Sequence, residues 1–337
     1  MTEVEVEAKA RAIIAALGAL GDKFYTTNDQ YEDFFGLLAY KGISTAAIAE
    51  AAAEAEVYYP YEIYRDAAPE VRGKLIALVM QPDCGEADHI LQCLAIAGGD
   101  DVLAAFIRLE RNPLPWSENL FVPPSVYARA GGWTFDSEGR RVELNFGRCY
   151  PVFPLANGAG TDKAVTVATP RADVCPQCGT GLMDIVTLDG RDERLAFLNL
   201  AGVIKIPVCP QCATMCERTL VRYSPGGDST MELIDPFGDE TAMPESEYAE
   251  MTSRKFALAE RPENLFFARG NDESIITVGG FADWIQDFQY DACPDCGKPM
   301  RYFASVPWNA LSDWTEGTLF LEICPDCRVI SAFHQQT

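Results

Sequence analysis

The spacing of apolar residues changes once along the chain. From residue 3 to about residue 112, apolar positions recur every three or four residues, as they do on one face of a helix. Six segments with this spacing are predicted as helices: Val4–Leu20, Asn28–Tyr40, Ser44–Val57, Pro69–Met80, Glu86–Ala97 and Asp100–Glu110. Short connections between short helices predict an α-helical domain of hairpins over residues 1–112, in an arrangement similar to a solenoid.

After residue 112, prolines interrupt the helical spacing. Asn112-Pro113-Leu114-Pro115 and Pro123-Pro124 predict an extended connector. Beyond this connector, seven alternating or apolar runs are predicted as strands: Trp133–Phe135, Arg141–Phe146, Cys149–Phe153, Leu182–Val186, Val203–Val208, Met300–Ala304 and Leu319–Ile323. We therefore predict an α+β protein in which a β-rich domain covers residues 113–337.

Four Cys-Pro-x-Cys turns lie within the predicted β-rich domain, and we call each of them a knuckle. They form two pairs, with 30 residues between the knuckles of the first pair and 27 between those of the second. Two knuckles together supply the four thiolates that Zn²⁺ prefers in a tetrahedral shell. The spacing predicts two zinc sites, formed by Cys175, Cys178, Cys209 and Cys212, and by Cys293, Cys296, Cys324 and Cys327.

Each pair of knuckles encloses two predicted strands, which is the order of a zinc ribbon, and the second pair repeats the first. Four thiolates close the metal shell, so a structural role is favoured over a catalytic one. Four matched turns disfavour a redox dithiol, and an acidic Thr2–Arg11 without a signal-peptide pattern disfavours disulfides. Cys216 remains open as a substitute ligand, whereas Cys84, Cys93 and Cys149 are predicted as core residues.

Charge narrows the classes of partner. The chain has 27 basic and 50 acidic residues, a formal net charge of −23, which disfavours nucleic acid because phosphate binding depends on Lys and Arg. Such a surface attracts basic proteins, although acidity can also serve solubility alone. No apolar run approaches the length of a membrane span, about 18 residues, so we expect a cytoplasmic protein without membrane contact.

Residues 223–253, which we call the acidic segment, contain no Lys or Arg. Eight carboxylates lie there: Asp228, Glu232, Asp235, Asp239, Glu240, Glu245, Glu247 and Glu250. The segment is either a solvated loop or a contact surface for a basic partner. In the second interpretation, five apolar residues among the charges are candidate anchors: Met231, Ile234, Phe237, Met243 and Tyr248.

The segment Gly279-Gly280-Phe281-Ala282-Asp283-Trp284, followed by the second pair of knuckles, resembles the zinc-containing branch of the YwqG-like family of bacterial proteins. That family typically shows Gly-Gly-x-Pro-x-Trp before the knuckles, where this chain has Ala282, and a Gln near the end, here Gln335 or Gln336. The resemblance covers residues 260–337 and, more thinly, 113–260. It implies a β-rich fold and a role in immunity to bacterial toxins, and it assigns no catalytic residue.

These observations favour a binding protein over an enzyme. His89 and His334 are the chain's two histidines, and no glycine-rich phosphate-binding loop is present. We expect an immunity protein, or antitoxin, that binds a basic bacterial toxin domain and occludes its active or substrate-binding surface. Two alternatives remain open: a cytoplasmic scaffold or adaptor that binds another protein through its helical domain, and an uncharacterised hydrolase.

Overall fold

The structure is a computed structural model that describes residues 2–19, 43–156, 162–237, 241–270, 275–313 and 315–337. The chain divides into two compact units, Met1–Leu144 and Asn145–Thr337. Helices dominate the N-terminal unit and strands dominate the C-terminal unit. The α+β fold predicted from the sequence is therefore confirmed.

Five α-helices described in the N-terminal unit begin and end close to the predicted residues, and a short sixth one begins in the predicted extended connector. They are α1 (Glu3–Gly18), α2 (Ala46–Glu54), α3 (Pro69–Val79), α4 (Ala87–Ala97), α5 (Asp100–Arg111) and the short α6 (Pro124–Tyr127). A capping box starts α1, because the Glu5 amide donates to Thr2 Oγ1 (3.3 Å) and the Thr2 amide donates to Glu5 Oε2 (2.7 Å). The predicted helix over Asn28–Tyr40 lies outside the described residues.

Residues 113–144 belong to the helical unit by packing. They include β1 (Trp133–Phe135) and β2 (Arg141–Glu143), which pair as a two-stranded sheet. The fully buried Trp133 donates its indole N–H to the Ala95 carbonyl (2.8 Å) and packs its ring 5.3 Å from that of Phe106. A large aromatic side chain thus fixes this stretch to α4 and α5, and the boundary between the units follows Leu144 and not residue 112.

The C-terminal unit contains eleven described strands and one α-helix. In chain order they are β3 (Phe146–Pro154), β4 (Val165–Val174), β5 (Gly181–Asp189), β6 (Val203–Val208), β7 (Arg218–Tyr223), β8 (Ser229–Ile234), α7 (Glu245–Ser253), β9 (Phe256–Leu258), β10 (Ile276–Gly280), β11 (Arg301–Pro307), β12 (Thr318–Cys324) and β13 (Val329–Gln335). An eight-stranded antiparallel sheet has the order β8-β7-β13-β12-β11-β10-β3-β9, and a three-stranded sheet has the order β4-β5-β6. One hydrophobic core contains buried residues of both sheets, among them Val186, Ile206 and Leu321.

Strand register shows that the two pairs of knuckles are copies of one arrangement. In the first copy Met183 pairs with Val208, and in the second Arg301 pairs with Ile323. In both copies this pair joins the fifth residue after one knuckle to the residue before the next. The register then shifts at the same place, after Asp184 in β5 and after Tyr302 in β11. The predicted duplication is thus present down to the position of a β-bulge.

The Gly-Gly-x-x-x-Trp segment has a structural role. Gly279 and Gly280 have φ angles of +77° and +76°, and a Cβ on Gly279 would lie 2.1 Å from the Arg148 carbonyl oxygen. A side chain at this position is excluded by both the backbone conformation and the space. Trp284 stacks on Phe320 with ring centroids 4.7 Å apart, so its indole packs within the unit.

The side chain of Gln335, and not that of Gln336, ties the end of the chain to the loop that follows this segment. The buried Gln335 side chain accepts hydrogen bonds from the amides of Ile285 (3.2 Å) and Gln286 (3.1 Å) and donates one to the Asp287 carbonyl (3.2 Å). The neighbouring Gln336 side chain is exposed. Two amide donors of the loop therefore depend on one side-chain oxygen.

We expect Gln335→Ala to lower the free energy of unfolding of the C-terminal unit by about 2 kcal/mol, because it leaves two partly buried amides without their acceptor. The matched variant Gln336→Ala should change it by less than about 0.5 kcal/mol, as is usual for an exposed residue. Urea denaturation followed by tryptophan fluorescence measures both. Equal effects of the two substitutions would contradict this role of Gln335.

Candidate functional site

The first four-cysteine cluster is formed by the connection from β4 to β5 and by the residues that follow β6. The Sγ atoms of Cys175 and Cys212 are 3.7 Å apart, and those of Cys178 and Cys209 are 3.6 Å apart. All four residues are buried, and none forms a disulfide, whose sulfurs would be about 2.05 Å apart. Sulfurs that are each about 2.3 Å from a tetrahedrally coordinated zinc ion lie about 3.8 Å from one another. The cluster thus has the donors and the spacing to hold a metal ion.

The second cluster has the same donors but is open to solvent. The Sγ atoms of Cys296 and Cys324 are 3.8 Å apart, and the four ligand atoms of the cluster lie within 4.8 Å of one another. Cys293 and Cys324 are buried, whereas Cys327 is half-buried and Cys296 is exposed. The two centres therefore differ in the access that solvent and reagents have to their sulfurs.

Backbone hydrogen bonds shape the first knuckle of each cluster in the same way. The Cys175 amide donates to the Thr180 carbonyl (2.8 Å), and the Cys293 amide donates to the Lys298 carbonyl (2.8 Å). Gly179 and Gly297, which follow the knuckles, have φ angles of +78° and +70°. The left-handed conformation that glycine permits closes each turn and points both sulfurs inward.

Surface ion pairs surround the second cluster. Lys298 and Asp326, one from each knuckle, are 3.3 Å apart between Nζ and Oδ2. Arg222 of β7 binds Asp295 through two hydrogen bonds of 2.6 and 2.8 Å. Solvent screens such exposed pairs, so they orient the knuckles more than they stabilise them.

The thiols of the first cluster differ in proton affinity. Burial raises the pKa of Cys209 well above its usual range, and it raises the pKa of Cys212 to about 12. Burial also acts on Cys178, but hydrogen bonds from Thr180 and neighbouring cysteines outweigh it and lower its pKa. Because metal ligation requires thiolates, binding must release the protons of Cys209 and Cys212, and the affinity for metal falls as the pH falls.

The remaining cysteines lie outside the two clusters. Cys216 is buried, with its Sγ 3.9 Å from Thr219 Oγ1, and it does not join the four sulfurs of the first cluster. Cys93 donates to the Tyr58 carbonyl (3.1 Å), and burial raises the pKa of Cys149 to about 12. Cys84 is half-buried.

The acidic segment is more ordered than a loop, since it forms β8 at one edge of the large sheet and α7 after it. Five of the predicted carboxylate residues are exposed and form no ion pair with the described residues: Asp228, Glu232, Asp235, Glu245 and Glu247. Glu250 is half-buried, 4.0 Å from Arg254. Asp239 and Glu240 lie outside the described residues.

The five candidate anchors of the acidic segment differ in exposure. Phe237 is 71% exposed. Met231, Met243 and Tyr248 pack against the protein's own core, and Ile234 is half-buried. Phe237 is therefore the candidate among the described residues whose side chain is exposed to solvent.

The two histidines have different surroundings, and His89 lines the cavity of the helical unit described below. His89 Nδ1 lies 3.1 Å from Glu86 Oε2 at the start of α4. His334 Nδ1 accepts a hydrogen bond from the Trp308 indole (3.2 Å), and burial lowers the pKa of His334. A neutral, hydrogen-bonded His334 is a packing residue of β13.

The helical unit contains a cavity of about 690 Å³ that the sequence did not indicate. Its lining includes Tyr58, Tyr59 and Leu78. It also includes four acidic residues: Glu56, Asp83, Glu86 and Asp88. These residues come from separate segments, so no spacing along the chain could have grouped them.

One curated protein is similar to this chain. The "Uncharacterized protein YpfL" of Salmonella typhimurium is 27% identical over 288 residues, which cover 84% of this chain and 66% of that protein. The chain thus spans just under two thirds of the length of this relative. No protein-family model and no solved structure matches the chain. None of the helices among the described residues has the length and apolar character needed to cross a membrane.

We expect limiting iodoacetamide to label Cys296 at least about tenfold faster than Cys178, which occupies the same place in the first knuckle. Cys296 is exposed, and the Lys298 amide helps to lower its pKa, whereas Cys178 is buried. Peptide mapping by mass spectrometry at several reaction times measures both rates. Labelling of the two residues at equal rates would contradict the difference in access.

Proposed function

We propose that both four-cysteine clusters bind zinc as structural centres, and that the β-rich unit they stabilise binds a basic protein through its acidic segment. Donor sets of four thiolates are typical of structural zinc sites, and they leave no open position for a substrate. The centres would then supply rigidity to a recognition surface.

The observation that supports a basic partner is the set of five exposed carboxylates that form no ion pair with the described residues. Phe237, 71% exposed, lies in the same segment. Complementary charge accelerates encounter and selects the partner, while an aromatic side chain that becomes buried contributes much of the affinity. An exposed aromatic residue within a field of one sign is a plausible centre for such an interface.

The resemblance to the YwqG-like family favours a bacterial toxin domain as this partner. An immunity protein acts by occupying a surface, so it requires tight binding and no turnover. A toxin that acts on nucleic acid or on another anionic substrate carries a basic substrate-binding surface, to which the acidic segment is complementary. We therefore propose an immunity protein that occludes the active or substrate-binding surface of a cognate toxin.

The cavity of the helical unit favours a second candidate, a scaffold or adaptor that binds another protein through its helices. Four carboxylates and two tyrosines line this cavity. Aromatic faces and carboxylates together suit a lysine or arginine side chain of a partner. In this case substitutions in the helical unit would weaken binding more than substitutions in the acidic segment.

We expect the purified protein to contain two equivalents of zinc per chain. Cys178→Ser and Cys296→Ser, which remove corresponding ligands of the two clusters, should each reduce the content by about one equivalent, because three thiolates hold zinc less tightly than four. Inductively coupled plasma mass spectrometry measures the content. A wild-type protein with well under two equivalents, or one that contains iron instead, would overturn the assignment.

A toxin domain encoded beside this gene should form a stable complex with the protein. The triple variant Glu232→Gln, Glu245→Gln, Glu247→Gln should weaken binding at least about tenfold at low salt, with less effect at high salt. Titration calorimetry at two salt concentrations measures this.

The matched control converts three exposed glutamates outside the acidic segment: Glu118→Gln, Glu260→Gln and Glu316→Gln. It changes the net charge equally and should weaken binding less than about threefold. Equal losses in the two triple variants, or an affinity indifferent to salt, would count against the acidic segment as the contact surface. A larger loss in Asp83→Asn, Asp88→Asn would favour the adaptor.

A further inference from the structure

The middle of the acidic segment is attached to the residues that follow the second knuckle of the first cluster. The Phe237 amide donates to the carbonyl of Met215 (2.9 Å), three residues after Cys212. Met231 and Leu233 of β8 pack directly against the cluster. Strand β8 and the exposed Phe237 are thus held in place by the polypeptide that supplies the metal ligands.

Six residues further along the acidic segment, Met243 is attached to the residues that follow the first knuckle through one hydroxyl group. Thr180 Oγ1 accepts a hydrogen bond from the Met243 amide (2.8 Å) and lies 3.1 Å from Cys178 Sγ. When Cys178 is a thiol it donates to this hydroxyl, and when Cys178 is a thiolate the hydroxyl can donate its own proton to the sulfur while it still accepts from Met243. Thr180 is buried. Its contact with the Met243 amide and with Cys178 Sγ depends on the turn that the hydrogen bond from the Cys175 amide to the Thr180 carbonyl closes.

Helix α7 continues this attachment. The Tyr248 hydroxyl donates to the Leu182 carbonyl (2.8 Å), four residues after Cys178. A Cβ on Gly181 would lie 3.2 Å from the Tyr248 ring, so the ring lies directly over this glycine. The helix that carries Glu245 and Glu247 therefore rests on the first strand of the ribbon.

The second cluster carries no comparable segment among the described residues. Lys298 occupies the position that corresponds to Thr180, and its ammonium group pairs with Asp326 (3.3 Å) at the surface. Pro299 occupies the position that corresponds to Gly181, the glycine over which the Tyr248 ring lies in the first copy. The second copy thus serves as an internal control for the first.

We propose that metal binding at the first cluster fixes the acidic segment in the conformation that binds a basic partner, and that the metal at the second cluster has no such role. The part that concerns a partner rests on the proposed function, whereas the part that concerns the order of the segment does not. Without the metal, the two knuckles that anchor Phe237 and Met243 are free to separate. Binding would then have to pay the entropy of ordering the segment.

Hydrogen exchange measured by mass spectrometry tests the ordering without any partner. In Cys178→Ser we expect the amides of Phe237, Met243 and α7 to exchange at least about tenfold faster than in the wild type. In the matched variant Cys296→Ser they should exchange at the wild-type rate. Exchange that is unchanged in Cys178→Ser, or equally increased in both variants, overturns the proposal.

Thr180→Val keeps all eight cysteine ligands. It tests the contact between the Thr180 hydroxyl and the Met243 amide even if Cys178→Ser fails to fold. We expect it to retain two equivalents of zinc and to accelerate exchange of the Met243 amide about threefold to tenfold, the effect of losing one hydrogen bond. Thr214→Val is the matched control, because the Thr214 hydroxyl donates to the carbonyl of Gln211 in its own knuckle (3.2 Å). An unchanged Met243 amide in Thr180→Val would overturn the role of the hydroxyl.

A peptide of ten lysines serves as the probe of the surface. The wild type and Cys296→Ser should bind it equally, and Cys178→Ser should bind it at least about fivefold more weakly, since its carboxylates are no longer fixed. If the exchange results hold but decalysine binds all three proteins alike, the metal orders the segment and the acidic surface is not the binding site. That result would refute the proposed function while leaving the metal-dependent order intact.

Discussion

Four sulfur atoms gathered without a bond between them are the constraint on which the C-terminal unit depends. Burial and the short distances between the sulfurs both oppose thiolates in the first cluster. A cation shared by the four sulfurs would stabilise the thiolates and join the two knuckles as a cross-link. Because such a cross-link forms only when both knuckles are in place, the free energy of metal binding becomes free energy of folding.

The two copies share register and bulge but have diverged after their second knuckle. In the second copy, β13 returns to pair with β12, whereas in the first copy β7 leaves β6 and joins the large sheet. These corresponding strands pair with each other, with Ile330 opposite Val221. Antiparallel pairing of equivalent strands is the arrangement that a local two-fold axis produces, and it joins the two ribbons through the centre of the unit.

Features with a local physical cause could be predicted from the sequence. The eight cysteines follow from the geometry of a turn, and Val203–Val208 is a strand because a run of apolar and β-branched residues suits a buried one. Strand β8 pairs with the preceding β7 across a connection of only five residues, but its six residues lie within the acidic segment, whose charge masked the strand pattern. The position of Trp133 depends on a distant contact, since its partner carbonyl at Ala95 lies on a helix that sequence spacing assigned to another domain.

The contacts of Thr180 could not be predicted from the sequence either. A threonine after Cys-x-x-Cys-Gly has no distinctive spacing, and its role appears only when Met243, distant in sequence, lies 2.8 Å away. The threonine hydroxyl can donate and accept hydrogen bonds, but the sequence does not indicate which groups it contacts. Local sequence patterns therefore identify the candidate metal ligands, but they do not identify a residue such as Thr180 that would couple a metal centre to a surface.

Charge explains why the two centres are supported by different groups. A centre with four thiolates and one divalent ion carries a negative charge, and at the second cluster Arg222 and Lys298 lie nearby, each paired with an aspartate. At the first cluster the acidic segment is held by an amide and a hydroxyl, and Arg171, the cation beside β8, is bound by Asp173 and Asp184. Neutral donors stabilise a thiolate without cancelling the field of the carboxylates around it. A lysine in place of Thr180 would reduce the negative potential of the acidic segment, so a neutral group at this position is consistent with the proposed recognition of a basic partner.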